Sequence, residues 1–298
     1  MSEARGKFVG VLLAALSVTA FAATFVVGAD LTKVHRVSPE VLACLRFVVA
    51  GGAMLLWECR SAERRTRLFR APTGRDWRLF AMLGPVGTSV MAWCVFMGCA
   101  RVSAANASMA DALAPLMIFV LAAIRARRAT GRQALGVLCG FVGARFVIGV
   151  VNRHGLALEA YTMGDVYVLL AAATWAFYSV FGRENINRLG SGPFTVWTML
   201  LGALAMGAVL PFGDFAWPAT GTAWGLVVVL GLVCTLLPFW TWNAAQKYLP
   251  VSTLGISAYF TPVVAVVLAG IFLGERATAL QWFGTALVCA SALVESRS

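Results

Sequence analysis

A lone acidic residue, Asp111, falls deep within one of the long apolar stretches of this 298-residue chain. Taking an unpaired carboxylate out of water is costly, so such a group must be neutral, paired or in contact with water. In that position it could bind an ammonium group or carry a proton. Alternatively, the Asp111 carboxylate pairs with Arg46 or Arg145, two arginines that also fall within apolar stretches.

A second set of polar residues surrounds position 247. Trp240, Asn243 and Lys247 have the spacing i, i+3, i+7, which predicts one shared helix face. Asn243 and Gln246 could hydrogen-bond the backbone of an amino acid, and Lys247 could attract its carboxylate. The alternative interpretation of Lys247 is an anchor at the membrane surface.

Four aromatic residues fall inside apolar stretches: Trp93, Trp175, Tyr178 and Tyr259. Their rings could line a cavity and stack on aromatic ligands, or they could serve membrane packing and the interfacial belt. Trp175 and Tyr178 are three residues apart and far from the ends of their stretch. For this pair we favour the cavity.

Two prolines, Pro115 and Pro262, interrupt apolar stretches near their middle. Proline removes an amide donor and clashes with the carbonyl four residues earlier, here that of Asp111 or Ala258. Backbone groups freed at membrane depth are tolerated where they line a cavity. Matched breaks in two halves of a chain point to a transport site, whereas a kink alone can also serve helix packing.

The chain that carries these residues is 60% apolar and 12% charged, against about 25% charged in soluble domains. A soluble globule of this length could not bury so much apolar surface. A span needs roughly 20 helical residues. Stretches near that length predict an all-α polytopic membrane protein with ten transmembrane helices, at 8–29, 41–57, 78–99, 103–124, 134–151, 164–182, 194–212, 222–243, 250–272 and 279–294.

The basic residues indicate the orientation. With a cytoplasmic N-terminus, 17 of the 24 Lys and Arg residues fall in inside segments and 5 in outside loops. This asymmetry predicts a multi-pass inner-membrane protein with both termini in the cytoplasm. Arg46 and Arg145 lie a turn or two from the outer ends of their spans, so both side chains could extend toward the membrane surface, and we interpret Arg46 as structural.

Charge and cysteine usage also limit the partners. The net charge of +11 is concentrated in short loops without a basic groove interleaved with aromatic residues, so we expect a lipid bilayer and no nucleic acid. The seven cysteines form no CxxC pair and no metal-ligand spacing, and we expect neither a metal nor a cofactor. Gly136 and Gly140 form a GxxxG pattern, which allows close helix contact within a monomer or in a homodimer.

An internal repeat divides the chain. A shift of 147 positions superposes Trp77 on Trp224, Gly84 on Gly231, Trp93 on Trp240 and Pro115 on Pro262. The first helices agree under a different shift, 12–15 against 169–172. We therefore predict two five-helix halves, 1–151 and 164–298, joined by a periplasmic linker at 152–163. Because five is odd, the second half is inverted, which is typical of secondary transporters with a central cavity.

Several short motifs are shared with a known group of transporters: Leu169–Ala176, Leu45-Arg46-Phe47, Tyr259–Val263 and Leu273-Gly274-Glu275. With the helix number and the repeat, they make the chain resemble the drug/metabolite transporter superfamily with two EamA-type halves. Phe177-Tyr178 and Ser257–Pro262 are similar to bacterial aromatic amino-acid exporters. The resemblance implies an amino-acid exporter whose cavity is lined by the first, third, fourth, sixth, eighth and ninth helices.

The first half departs from that pattern. Val18-Thr19 stands where the family usually has Trp-Ala, and 112–114 are Ala-Leu-Ala where such exporters carry aromatic residues. A pocket with fewer aromatic groups would accept smaller or more varied amino acids. We therefore expect broad specificity.

Other function classes remain as alternatives. A multidrug or cationic-metabolite exporter also suits one carboxylate and several aromatic rings. A phosphate-ester or nucleotide-sugar exchanger would need paired cations at mid-membrane, where Arg46 and Arg145 are off-centre. An intramembrane enzyme is disfavoured, since His35 and His154 fall in outside loops and HExxH, G-x-S-x-G and P-loop motifs are missing.

Overall fold

The computed structural model of the chain describes residues 3–111, 113–127, 162–258 and 260–274, and short pieces at 142, 151–152, 155–156, 278–279, 282–284, 286–287 and 290. The α-helices are α1 (Glu3–Lys33), α2 (Pro39–Cys59), α3 (Ala62–Arg70), α4 (Gly74–Gly84), α5 (Met91–Cys99), α6 (Ala104–Asp111), α7 (Ala114–Ala126), α8 (Met163–Leu189), α9 (Ser191–Gly207), α10 (Gly221–Gly231), α11 (Leu237–Ala245), α12 (Val251–Ala258) and α13 (Thr261–Leu273). Two π-helical segments, π1 (Pro85–Val90) and π2 (Leu232–Leu236), join α4 to α5 and α10 to α11. A 3-10 turn covers Leu210–Phe212, and β1 (Val151–Asn152) pairs antiparallel with β2 (Gly155–Leu156).

Most of the predicted spans are present in the described residues. Six helical segments are long and apolar enough to cross a membrane: Arg5–Lys33, Pro39–Cys59, Gly74–Cys99, Met163–Leu189, Ser191–Phe212 and Gly221–Ala245. The predicted fourth and ninth spans are helices broken in the middle, as α6 with α7 and α12 with α13. The fifth span, and most of the tenth, lie outside the described residues. The protein is an all-α polytopic membrane protein.

The two halves share one pattern of helix boundaries. Adding 147 to the bounds of α4, α6 and α7 gives the bounds of α10, α12 and α13. Thr73 and Thr220, which are 147 apart, each precede one of these helices as N-cap residue. Arg127 and Gly274 close α7 and α13 in the left-handed conformation, with φ of 51° and 67°. The shift of 147 residues that aligns the tryptophan and proline pairs therefore also aligns the helix boundaries of the two halves.

Packing between the halves is reciprocal. Helix α1 of the first half packs on α11 and α13 of the second, and α8 of the second half packs on α5 and α7 of the first. Helices α2 and α9 also pack against each other. Each half therefore inserts its first helix against the third and fourth spans of its partner half, and the space between these helices lies at the centre of the molecule.

The contact between α9 and π1 requires a residue without a side chain at Gly202. The Ser89 hydroxyl donates a hydrogen bond to the Gly202 carbonyl, and a methyl group on Gly202 would overlap the Thr88 hydroxyl. Close backbone approach of this kind is typical of helices packed within membranes.

Replacing Gly202 by alanine should destabilise the protein, because the added methyl group forces α9 away from π1. Overpacking of this kind costs about 1–3 kcal/mol, and we expect the apparent melting temperature in detergent to fall by about 3 °C or more. Gly225→Ala is the matched control, since a methyl group at Gly225 would meet nothing within 4 Å. Equal melting temperatures for the two variants would contradict this account of the interface.

Candidate functional site

A cavity lies between the two halves, and equivalent positions of the repeat face it in pairs. Three pairs are 147 residues apart: Asp111 with Ala258, Ala114 with Thr261, and Val95 with Trp242. Val18 and Trp175 form a fourth pair under the shift that aligns the first helices. Equivalent positions of the two halves therefore contribute to the lining of one cavity.

The broken helices end at this cavity. Asp111 is the last residue of α6 and Ala258 the last of α12, while Ala114 and Thr261 begin α7 and α13. Pro115 and Pro262 each occupy the first turn of the following helix, where a proline needs no amide donor. The prolines thus produce the breaks expected from their spacing, and helix ends of both polarities meet beside the cavity.

Aromatic rings form one wall of the cavity. Trp175 is 8% exposed, and its ring centroid lies 5.1 Å from Phe21, 5.1 Å from Phe239 and 5.4 Å from Trp242. Tyr178 stacks on Trp175 at 5.3 Å with an interplanar angle of 16°. We call Phe21, Trp175 and Trp242, which line the cavity itself, the aromatic wall.

A buried polar network lies behind this wall, away from the cavity. The Asn243 amide donates to the Tyr178 hydroxyl at 3.0 Å and to Thr195 Oγ1 at 2.9 Å. Gln246 donates to Asn243 Oδ1 at 3.5 Å, and its own Oε1 has no partner among the described residues. These hydrogen bonds join α8, α9 and α11, and Tyr178, Asn243 and Gln246 are not among the residues that line the cavity.

Two predicted site residues lie outside the cavity. Trp93, near the start of α5, donates from Nε1 to Glu40 Oε1 at 2.7 Å and packs on Tyr167. Trp240 is 37% exposed and lies beside Trp57 in an apolar groove on the outside of the bundle. These equivalent tryptophans mark the repeat, and the structure does not bring them to the cavity.

The shared face predicted for Trp240, Asn243 and Lys247 is not found. Asn243 is fully buried, whereas Trp240 and Lys247 are exposed. The reason is that the boundary between the buried and exposed sides of α11 falls between Trp240 and Asn243, and that α11 ends at Ala245. Lys247 therefore lies in the following turn, near Gly190. The remaining predicted residue, Tyr259, is outside the described residues, as are Arg145, Gly136 and Gly140.

Arg46 lines the cavity, which corrects the prediction that its side chain extends to the membrane surface. It is 1% exposed, with Nε donating to Thr235 Oγ1 at 2.9 Å. Its guanidinium lies 5.1 Å from the ring centroid of Phe47 and 5.3 Å from that of Phe96. These contacts hold the Arg46 side chain inside the bundle. A charged residue within the apolar stretch around Leu45-Arg46-Phe47 was the sequence feature that could have predicted this position, since charges inside membrane spans usually face the protein interior.

Polar contacts between the halves also occur at the end of the molecule that carries α3, which we call the basic end. Asp76 of α4 is buried, pairs with Arg188 of α8 and accepts a 2.9 Å hydrogen bond from Asn185. Arg75 and Arg125 lie 3.7 and 3.8 Å from Glu184. The sequence did not indicate this set, because charged side chains in loops are ordinarily solvated and their partners are not apparent from spacing.

Asp76→Asn should loosen the basic end, since it removes the charge that Arg188 pairs with. For a half-exposed partner we expect a local cost of about 1 kcal/mol, and amide hydrogen exchange at the start of α4 and the end of α8 should accelerate about fivefold. Glu63→Gln is the control, because the Glu63–Arg67 pair is exposed and lies within α3. Unchanged exchange in Asp76→Asn would show that this pair does not hold the halves together.

Two repeats with broken helices around a cavity between the halves are the arrangement of a multi-pass membrane transporter. The EamA-like transporter family matches residues 8–149 and 162–297. The chain therefore belongs to the EamA-like transporter family.

Similar proteins include named exporters. The chain is 30% identical over 232 residues to a "Probable terminal-alkyne amino-acid exporter" of Streptantibioticus cattleyicolor, covering 76% of each chain. It is 28% identical over 166 residues to the "Aromatic amino acid exporter YddG" of Ancylobacter novellus, covering 55% of this chain and 57% of that one. It is 27% identical over 250 residues to the "Uncharacterized transporter YdfC" of Bacillus subtilis, covering 83% and 78%.

The fold also resembles a solved structure. A crystal structure described only as that of a protein superposes with a TM-score of 0.70 at 22% identity, covering 98% of this chain and 96% of the other. This likeness supports the helical architecture.

Proposed function

We propose that the protein exports amino acids, aromatic and other bulky neutral ones among them, across the inner membrane. The observation that carries the proposal is the cavity between the halves, which both the aromatic wall and Asp111 line. An apolar side chain suits the wall, and a carboxylate suits an ammonium group. The names of two similar proteins, both amino-acid exporters, agree with this substrate class.

Alternating access is the mechanism that this arrangement supports. At the basic end the halves are joined by Asp76 with Arg188 and Asn185. At the opposite end Ser38 donates its backbone N–H to the Ala216 carbonyl at 3.0 Å, and its hydroxyl accepts from the Ala216 amide at 2.9 Å. Breaking one set while the other holds would open the cavity to one side at a time.

We further propose that the basic end faces the cytoplasm. Helix α3 alone carries Arg64, Arg65, Arg67 and Arg70, and loops rich in arginine are retained on the cytoplasmic side. Because α1 and α2 are the first two spans, a cytoplasmic α3 also places the N-terminus in the cytoplasm.

Export of organic cations is a second candidate function. Asp111 and the aromatic rings of the cavity are also the groups that hold a quaternary ammonium ion. Amino acids carry a carboxylate and organic cations of this kind do not. Flux of a quaternary ammonium dye without flux of amino acids would therefore favour export of organic cations.

Trp175→Ala should lower phenylalanine flux into liposomes by about tenfold, because it removes a buried ring from the aromatic wall. Trp240→Ala is the matched control: the same substitution on the outer, lipid-facing side of the bundle should leave flux near that of the parent protein. Both variants are reconstituted at equal protein density, with threonine, lysine and glutamate tested in parallel. Equal flux in the two variants would remove Trp175 from the site.

A further inference from the structure

We propose that Arg46 binds the carboxylate of the transported molecule, so that the cavity is a site for zwitterions. This inference rests on the proposed amino-acid export and adds to it the residue that recognises the carboxylate. It begins from Arg46 itself, a buried cation on the wall of the cavity whose Nη1 has no hydrogen-bond partner among the described residues.

The surroundings of Arg46 leave part of its guanidinium unsatisfied. Nε is held by Thr235, whose hydroxyl in turn donates to the Leu230 carbonyl at 2.6 Å. Phe47 and Phe96 offer ring faces, which attract a cation but accept no conventional hydrogen bond. A buried arginine with a free donor is costly unless an acceptor reaches it. A ligand carboxylate supplies two acceptor oxygens in the geometry that a guanidinium matches.

Asp111 offers the complementary charge from another helix. Asp111 lines the same cavity, and within the described residues no hydrogen bond or ion pair joins it to Arg46, whose Nε is held by Thr235 instead. Two opposite charges that share a cavity without pairing are arranged to be bridged by a molecule that carries both charges. The α-ammonium group would meet Asp111, the α-carboxylate would meet Arg46, and the side chain would rest on the aromatic wall.

A purely structural role for Arg46 makes a different prediction. If Arg46 only joins α2 to π2 through Thr235, its loss would weaken binding of every ligand equally, by loosening the cavity. If Arg46 contacts the carboxylate, its loss would weaken only the ligands that have one. Ligands that lack one charged group therefore separate the two roles, even in a variant of reduced stability.

The test measures binding of three ligands to the purified full-length protein in detergent by isothermal titration calorimetry. Phenylalanine carries both charges, phenethylamine lacks the carboxylate, and 3-phenylpropanoate lacks the ammonium group. We expect Arg46→Gln to weaken binding of phenylalanine and 3-phenylpropanoate by at least about tenfold, and to change that of phenethylamine by less than about twofold. Arg46→Lys, which keeps the charge but loses the planar fork, should give a smaller loss with the same selectivity.

Two further variants complete the design. Thr235→Val removes the hydrogen bond to Nε but retains the cation, so it should preserve the preference for carboxylates. Arg101→Gln removes an exposed arginine and should bind all three ligands as the parent protein does. If Arg46→Gln does not fold, Arg46→Lys measured with the same three ligands takes its place.

The outcomes distinguish this inference from the proposed function. Selective loss of the carboxylate ligands supports both. If the parent protein binds phenylalanine and the Arg46 variants lose affinity equally for all three ligands, or for none, the proposed role of Arg46 is overturned. The proposal of amino-acid export is unaffected by that result. Binding of phenethylamine by the parent protein, with no binding of either carboxylate, overturns both.

Discussion

The hydrocarbon core of a membrane offers no water, so every backbone N–H and C=O there must find a partner within the protein. This constraint explains why the described spans are helical and why the two proline breaks occur where they do. Helices α6 and α12 end, and α7 and α13 begin, beside the cavity between the halves. Irregular backbone and the side chains of Asp111 and Arg46 are thereby collected around one cavity inside the protein.

The frame is symmetric, but the side chains that face the cavity are not. Asp111 stands where the second half has Ala258, and Val18 and Val95 stand where it has Trp175 and Trp242. The first half therefore supplies the carboxylate together with Phe21 and Phe25, and the second half supplies the two tryptophans. The shared helix boundaries of the two halves therefore carry different side chains at the cavity.

Sequence patterns predicted the frame more fully than the site. The Trp77–Trp224 and Pro115–Pro262 pairs gave a shift of 147 residues that the helix boundaries reproduce. Both halves form helices because the membrane interior requires every backbone group to be hydrogen-bonded within the protein. Trp175 and Asp111, which the sequence suggested as site residues because of their depth within a span, both line the cavity.

Side-chain direction was harder to predict. Trp240 and Asn243 are a single helical turn apart, yet one faces outward and the other is buried, and sequence spacing does not show where that boundary falls. Arg46 is one residue from a phenylalanine that holds it inward, a contact that depends on rotamer and tertiary packing. The polar network behind Trp175 likewise depends on three helices meeting.

Counterflow of phenylalanine in proteoliposomes tests most directly whether this cavity carries an amino acid by alternating access. Vesicles are preloaded with unlabelled phenylalanine and diluted into labelled phenylalanine at a much lower concentration. If the carrier exchanges internal unlabelled phenylalanine for external labelled phenylalanine, the label should accumulate transiently inside the vesicles above its equilibrium value. Protein-free vesicles should show no such accumulation. Label that only rises to equilibrium, or accumulates only when a quaternary ammonium compound is preloaded, would contradict the account.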